Sequence, residues 1–184
     1  MTITSLRLLA HFVNTYHPDG RVADYGGTAK IGSEIVERML TLDNISVIDA
    51  SKKGEFKVVL DGSINMREFE YNVLDYDNGV DLLKPIRGRK FDYGITMDLL
   101  EHVSQPFVVA ENIQNSLKKD ALLFVTVPWV WEIHDYPDDY WRFTPQGLQE
   151  LFSRMECITV EIIRDMSEEE ELPRQRLAGI FRKR

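Results

Sequence analysis

Residues Ala121 to Pro128 read ALLFVTVP, an almost unbroken apolar run whose one hydroxyl is that of Thr126. A strand with one wetted face alternates apolar and polar side chains, so a run of this kind is expected where a strand is covered on both faces. The neighbouring segments fit that setting. RVADY, ISVID and FDYGITM read as further short strands, and helical spacing fills the intervals between them. Leu6, Leu9, Val13 and Tyr16 share one helical face, ending near HPDG, and so do Ile31, Ile35, Met39 and Leu40. After FDYGITM, Ser104 is predicted to cap a helix with Pro106 in its first turn and Val109, Ile113 and Leu117 on one face. Thr144 and Pro145 start another, with Leu148, Leu151, Phe152 and Met155 as its stripe. CITVEII and LAGIFRK close the chain as strands. Residues 51–70 are the least legible, with FKVVLDG and FEYNVL both strand-like and no helix between them. Alternation of strand and helix implies a parallel sheet with helices on both faces, where ligands bind beyond the carboxyl ends of the strands.

A chain of 184 residues with 43% hydrophobic content can bury one real core, so a single domain is expected: an N-terminal helix over 1–19 and a core over 20–184. The lone cysteine, Cys157, excludes an internal disulfide framework and suits a reducing compartment. The apolar stretch LRLLAHFV is short and is interrupted by Arg7 and His11, so neither a leader nor a membrane partner is expected, and a cytoplasmic location follows. The net charge of −8 argues against a nucleic-acid partner, which demands a basic face. The last eleven residues, RQRLAGIFRKR, hold five basic side chains and no acidic one, leaving 17 basic against 30 acidic elsewhere, or −13. They are expected to form a solvated terminal strand, and the acidic run Ser167 to Glu171 a solvated loop.

Two strand ends carry candidate ligand chemistry. RVADY runs into DYGGTAKIG, where Gly26 and Gly27 let the backbone approach a ligand and expose amide groups at a helix start. A purely structural turn accounts for the two glycines equally well. ISVID ends in Asp49, about 25 positions after Asp24, where a carboxylate can accept hydrogen bonds from both ribose hydroxyls or cap a helix.

The segments FDYGITMDLLEHV and QPFVVAENIQNSLKKDALLFVTVP resemble the class I S-adenosylmethionine-dependent methyltransferases, within them the type 11 group. In that family FD opens the fourth strand, LEHV follows it, and an LKPGG turn leads to a fifth strand ending in proline. Leu100, Glu101, His102 and Val103 match, while the turn here reads LKKDA. HDYPDDYWRFTPQGLQELF is similar to a P-x-D-Y-W-R-F-T signature of family members associated with surface polysaccharide biosynthesis. The resemblance runs from about Val22 to the end. It implies a Rossmann-like three-layer α/β sandwich with a mostly parallel seven-stranded sheet and a C-terminal antiparallel hairpin. The first motif, usually D-x-G-x-G-x-G, is met by Asp24 and Gly26 but has Thr28 and Lys30 at the next two glycine positions.

The resemblance further implies S-adenosylmethionine as cofactor and methylation of a small-molecule or glycan-related acceptor, with oxygen as the expected acceptor atom. Asp24, Gly26 and Gly27 would form the loop around its methionine part, Asp49 would hold the ribose and Asp75 the adenine amino group. Asp98, Leu99 and His102 lie where the family's residues after the strand meet the cofactor. The segment His134 to Pro145 would then cover the acceptor side. His134 is the expected general base, since its ordinary pKa lies near neutrality, with Asp135 orienting it or acting instead. Tyr140, Trp141 and Arg142 either contact the acceptor or seal the loop, with Arg142 paired to Asp138 or Asp139. His134, Asp135, Asp138 and Asp139 could offer oxygen-rich ligands to a metal, but nothing fixes their geometry and no metal is expected. Two other readings use the same features: a noncatalytic binding protein of this fold, and an NAD(P)-dependent oxidoreductase, which lacks support because G-x-G-x-x-G is missing.

Overall fold

A computed structural model of the chain describes residues 8–9, 11–12, 15–16, 20–26, 45–52, 55–62, 65–74, 79–134, 138–164 and 174–184. Eight strands form one sheet: β1 (Gly20–Tyr25), β2 (Ile45–Lys52), β3 (Glu55–Gly62), β4 (Asn65–Leu74), β5 (Phe91–Met97), β6 (Leu117–Val130), β7 (Met155–Arg164) and β8 (Gln175–Lys183). Their order across the sheet is β2-β3-β4-β1-β5-β6-β8-β7. Only the middle is parallel, β1 pairing in parallel with β4 and β5, and β5 with β6. The flanks are antiparallel, so among the described residues the sheet is mixed and not mostly parallel, with eight strands where seven were expected.

The departure has a local cause. Two residues separate β2 from β3, and two separate β3 from β4. A connection that short closes only an antiparallel pair, because a parallel return needs a crossover of about a dozen residues or more. The illegible stretch after ISVID is thus an antiparallel run, Lys52 opposite Glu55 and Gly62 opposite Asn65. The expected helix carrying Ile31 to Leu40 lies outside the described residues, as does the acidic run Ser167 to Glu171.

The centre follows the sequence closely. All residues from Ala121 to Pro128 in β6 are buried. On one face Leu123, Val125 and Val127 pack with Val109 and Ile113 of helix α1 (Pro106–Ser116) and with Leu148 and Leu151 of helix α2 (Pro145–Leu151). On the other, Leu122 and Phe124 meet Leu9 and Phe12 of the helical residues near the N-terminus. The rings of Phe12 and Phe124 stack with centroids 5.2 Å apart. Each such fully buried large side chain contributes roughly 1.5–3 kcal/mol. Thr144 caps α2 as expected, its Oγ1 accepting the amide of Gly147 at 2.9 Å. Helix α1 differs: Gln105, not Ser104, occupies the cap position and makes no side-chain capping bond, Pro106 being already the first helical residue. LKKDA, expected as a turn before the strand, lies within β6, and Asp120 there takes φ +64, a left-handed conformation that aspartate tolerates better than most residues.

The basic C-terminal segment also departs from expectation. Strand β8 lies between β6 and β7, and residues 176–181 are buried instead of solvated. Arg176 is 1% exposed. Among the described residues no helix is long and apolar enough to cross a membrane.

Candidate functional site

The parallel strands β4, β1, β5 and β6 deliver their carboxyl ends to one edge of the sheet. Strand β1 ends there beside β4, Tyr25 opposite Leu74, and Gly26 donates its amide to the Leu74 carbonyl at 2.9 Å. Gly26 has φ +82, and a Cβ added to it would stand 2.5 Å from Leu99 Cδ1. The left-handed backbone favours glycine here, and any side chain would also have to displace the end of Leu99. Asp24, within β1, is 2% exposed.

After β5 the chain turns sharply. Asp98 has φ +50, and its amide donates to Thr126 O at 3.0 Å, tying the end of β5 to β6. Its carboxylate accepts from Thr126 Oγ1 at 3.1 Å and from Arg176 Nη1 at 3.0 Å to each oxygen. The turn continues as a short 3-10 helix, Leu100–His102, which buries Leu100 and Glu101.

Residues 138–141 dock on that 3-10 turn. Tyr140 donates its amide to Glu101 O at 2.7 Å, and Trp141 Nε1 donates to Val103 O at 2.9 Å. Within the segment, Asp139 is the hub. It accepts the His134 amide at 2.9 Å and a bidentate pair from Arg142, Nη1 at 2.5 Å and Nη2 at 2.7 Å. Arg142 also donates to the carbonyls of Trp141 and Glu132. The hydrogen bonds from Arg142 hold the Asp139 carboxyl down at about 2. Arg142 thus staples the loop, the sealing role that was one of its two readings, with Asp139 and not Asp138 as partner. Outside this braced frame Ile133, Tyr140 and Trp141 present exposed apolar surface.

Beneath the loop lies a histidine pair. The His102 and His134 rings meet edge to face, centroids 4.9 Å apart. His102 Nδ1 donates to Asp138 O, and its Nε2 is 3.7 Å from Glu101 Oε1. His134 Nδ1 lies 3.1 Å from Asp139 Oδ2. Glu101 is fully buried, and neither carboxylate oxygen has a hydrogen-bond partner among the described residues. Burial first, then the negative charges of Asp98 and Asp139, push its pKa well above the ordinary carboxylate range.

The structure brings Gly26 and Leu99 into contact, and His102 and His134 likewise. It does not bring Asp49 beside β1. Asp49 lies inside β2, opposite Lys57, at the outer edge of the sheet with β3 and β4 between it and β1. The strand adjoining β1 is β4, so the first acidic residue after the adjoining strand is Asp75. Gly27, Asp75 and Asp135 lie outside the described residues. Two important residues escaped the reading of the sequence as site members: Glu101 and Arg176. Glu101 stood in the quoted LEHV string without a role, although a carboxylate set between Leu100 and His102 at a strand end was a signal.

No protein-family model matches this chain, and no curated protein matches it. Solved structures do match. A [4+2]-cyclase, SpnF, superposes with a TM-score of 0.60 at 15% identity, covering 97% of this chain and 80% of its own. A candidate methyltransferase from Bacillus halodurans gives 0.58 at 10% identity, covering 98% and 99%. The N-methyltransferase NodS from Bradyrhizobium japonicum, solved with S-adenosyl-L-homocysteine, gives 0.54 at 10% identity, covering 98% and 86%. The chain has the Rossmann-like α/β fold of S-adenosylmethionine-dependent methyltransferases.

Proposed function

We propose that the chain is a cytoplasmic S-adenosylmethionine-dependent methyltransferase of the type 11-like group, acting on a hydroxyl of a small-molecule or glycan-related acceptor. One observation carries the reading: where β4, β1 and β5 end side by side, the chain leaves β1 through Gly26, which holds a left-handed backbone packed against Leu99. A glycine turn at the carboxyl end of a central parallel strand suits an extended nucleotide-like cofactor, whose place in such folds is the crevice beyond the strand ends. When bound, S-adenosylmethionine supplies a sulfonium methyl group open to in-line displacement.

The chain's own residues then have to bind, orient and exclude water. Asp24 and Gly26 shape the loop start, Leu99 walls it, and Asp75, following β4, is the carboxylate proposed for the nucleoside hydroxyls. On the acceptor side, Tyr140 and Trp141, 52% and 40% exposed, offer ring faces to a sugar or aromatic ring. His134, with Nδ1 facing Asp139, keeps Nε2 for the proton of an acceptor hydroxyl.

SpnF is named a cyclase, and one fold hosts unrelated activities, so a non-methylating protein of this fold is the second reading. Calorimetric titration with S-adenosylmethionine, S-adenosylhomocysteine and NAD, followed by an acceptor screen with methyl-labelled cofactor, separates the two. Saturable binding of the first two and label transfer support the methyltransferase. Binding of none, or of NAD alone, overturns it.

A further inference from the structure

We infer that Glu101, His102 and His134 form a binding site for a divalent transition-metal ion of the Zn²⁺ type. One ligand atom from each residue lies within 4.8 Å of the other two. Proximity alone would be weak, since charged groups cluster on many surfaces. Here the carboxylate is fully buried and its two oxygens have no hydrogen-bond partner among the described residues. A buried carboxylate without donors is costly unless it is protonated or neutralised by a cation.

The histidines supply the second argument. A metal-binding imidazole commonly donates one ring N–H to a carbonyl or carboxylate, which fixes the ring and frees the other nitrogen to ligate. His102 does this through Nδ1 to the Asp138 carbonyl, and His134 through Nδ1 to the Glu132 carbonyl at 3.4 Å, with the Asp139 carboxylate 3.1 Å from the same nitrogen. In both rings Nε2 is the nitrogen left over. His102 Nε2 is already 3.7 Å from Glu101 Oε1. Arg142, clamping Asp139, braces this outer layer.

Two imidazole nitrogens and one carboxylate oxygen suit Zn²⁺, Fe²⁺ or Co²⁺ and not Mg²⁺ or Ca²⁺, which prefer all-oxygen shells. Three protein ligands leave a coordination position open to water or a substrate oxygen. His134, 37% exposed, has the freedom to close the set. The site differs from the Asp-rich set that the sequence offered, since Asp139 serves as the outer partner. It does not depend on the methyltransferase reading. In the loaded protein His134 Nε2 is a ligand and no longer a free base, so the ion would replace that role by holding the acceptor oxygen itself.

The test is metal binding without cofactor. Chelator-stripped full-length chain is titrated with Zn²⁺ by calorimetry and with Co²⁺ by visible absorption. One saturable ion per chain, with the strong visible bands of low-coordinate Co²⁺, is expected. His134→Ala should weaken Zn²⁺ binding about a hundredfold or more, beyond the ten- to hundredfold typical of losing an outer partner, while Cys157→Ser changes nothing. Circular dichroism checks that the His134 variant is folded; Glu101→Gln is the second variant, read in the same way. Absence of saturable binding to the parent chain, or equal binding by folded His134→Ala and Glu101→Gln proteins, overturns the inference.

Discussion

Arg176 on β8 and Asp98 at the end of β5, 78 positions apart in the chain, form an ion pair with Nη1 at 3.0 Å from each carboxylate oxygen. The arginine is 1% exposed and its guanidinium also lies over the Trp131 ring, 5.0 Å from the centroid. Removing one member of such a pair strands the other in a poorly solvated place. Arg176→Met should therefore cost about 3 kcal/mol in urea-induced unfolding, and the double variant Arg176→Met, Asp98→Asn clearly less than the sum. Additive losses would mean that the two side chains do not stabilise one another.

Gly26 poses a different constraint, because backbone and side-chain causes can be separated. Gly26→Ala must hold alanine at φ +82 and place its Cβ against Leu99. A loss of about 2 kcal/mol is expected, of which about 1 kcal/mol belongs to the left-handed backbone alone. Leu99→Ala in the same chain should recover the steric part and leave the backbone part. If Leu99→Ala recovers nothing, the contact is not what limits this position.

Strand order assigns the two candidate carboxylates different fates. With β4 beside β1, Asp75→Ala is expected to weaken S-adenosylhomocysteine binding by tenfold or more, on the order of one charge-assisted hydrogen bond, and Asp49→Ala to leave it unchanged. Calorimetry on both variants decides. A loss confined to Asp49→Ala would restore the assignment drawn from the sequence.

At His134, substitution should split binding from turnover. His134→Ala is expected to keep cofactor affinity and lower kcat by about a hundredfold, the lower end of what a positioned base or a metal ligand contributes. Unchanged turnover would remove the role of base and any catalytic role of a bound ion.

The readable parts of the fold were those dictated by local chemistry. ALLFVTVP could only be a doubly covered strand, and Thr144 with Pro145 could hardly avoid starting a helix. FDYGITM became β5 residue for residue. What escaped notice depended on partners distant in sequence. Basic residues at a chain end read as solvated charge, since nothing in RQRLAGIFRKR reveals that Asp98 and Trp131 await Arg176 inside the sheet. The place of Asp49 was hidden in the same way: ISVID reads as a strand, but only the two-residue connections on either side of β3 put that strand at the outer edge. Arg142, by contrast, found its partner three residues away, within reach of reasoning from the sequence.

The two carboxylates of the site should pull stability in opposite directions with pH. Asp139 has a folded pKa of about 2, chiefly through Arg142, below its unfolded value of about 3.9. Its contribution is therefore present above pH ~4 and is lost as pH falls through the folded pKa, an effect of no more than about 2 kcal/mol given partial screening at Arg142. Glu101 is raised instead, by burial first, so the folded state holds its proton more tightly than the unfolded chain. Its contribution is full below pH ~4.3 and shrinks as pH rises toward the folded pKa. Urea unfolding of the metal-free chain across acidic to neutral pH should show both limbs. Asp139→Asn should flatten the acid limb, and Glu101→Gln, which carries no titrating proton, should flatten the neutral one and leave the metal-free protein at least as stable at pH ~7. A Glu101→Gln protein that is less stable than its parent near neutrality would show that the carboxylate has a partner, and that Glu101 is not held as a neutral acid.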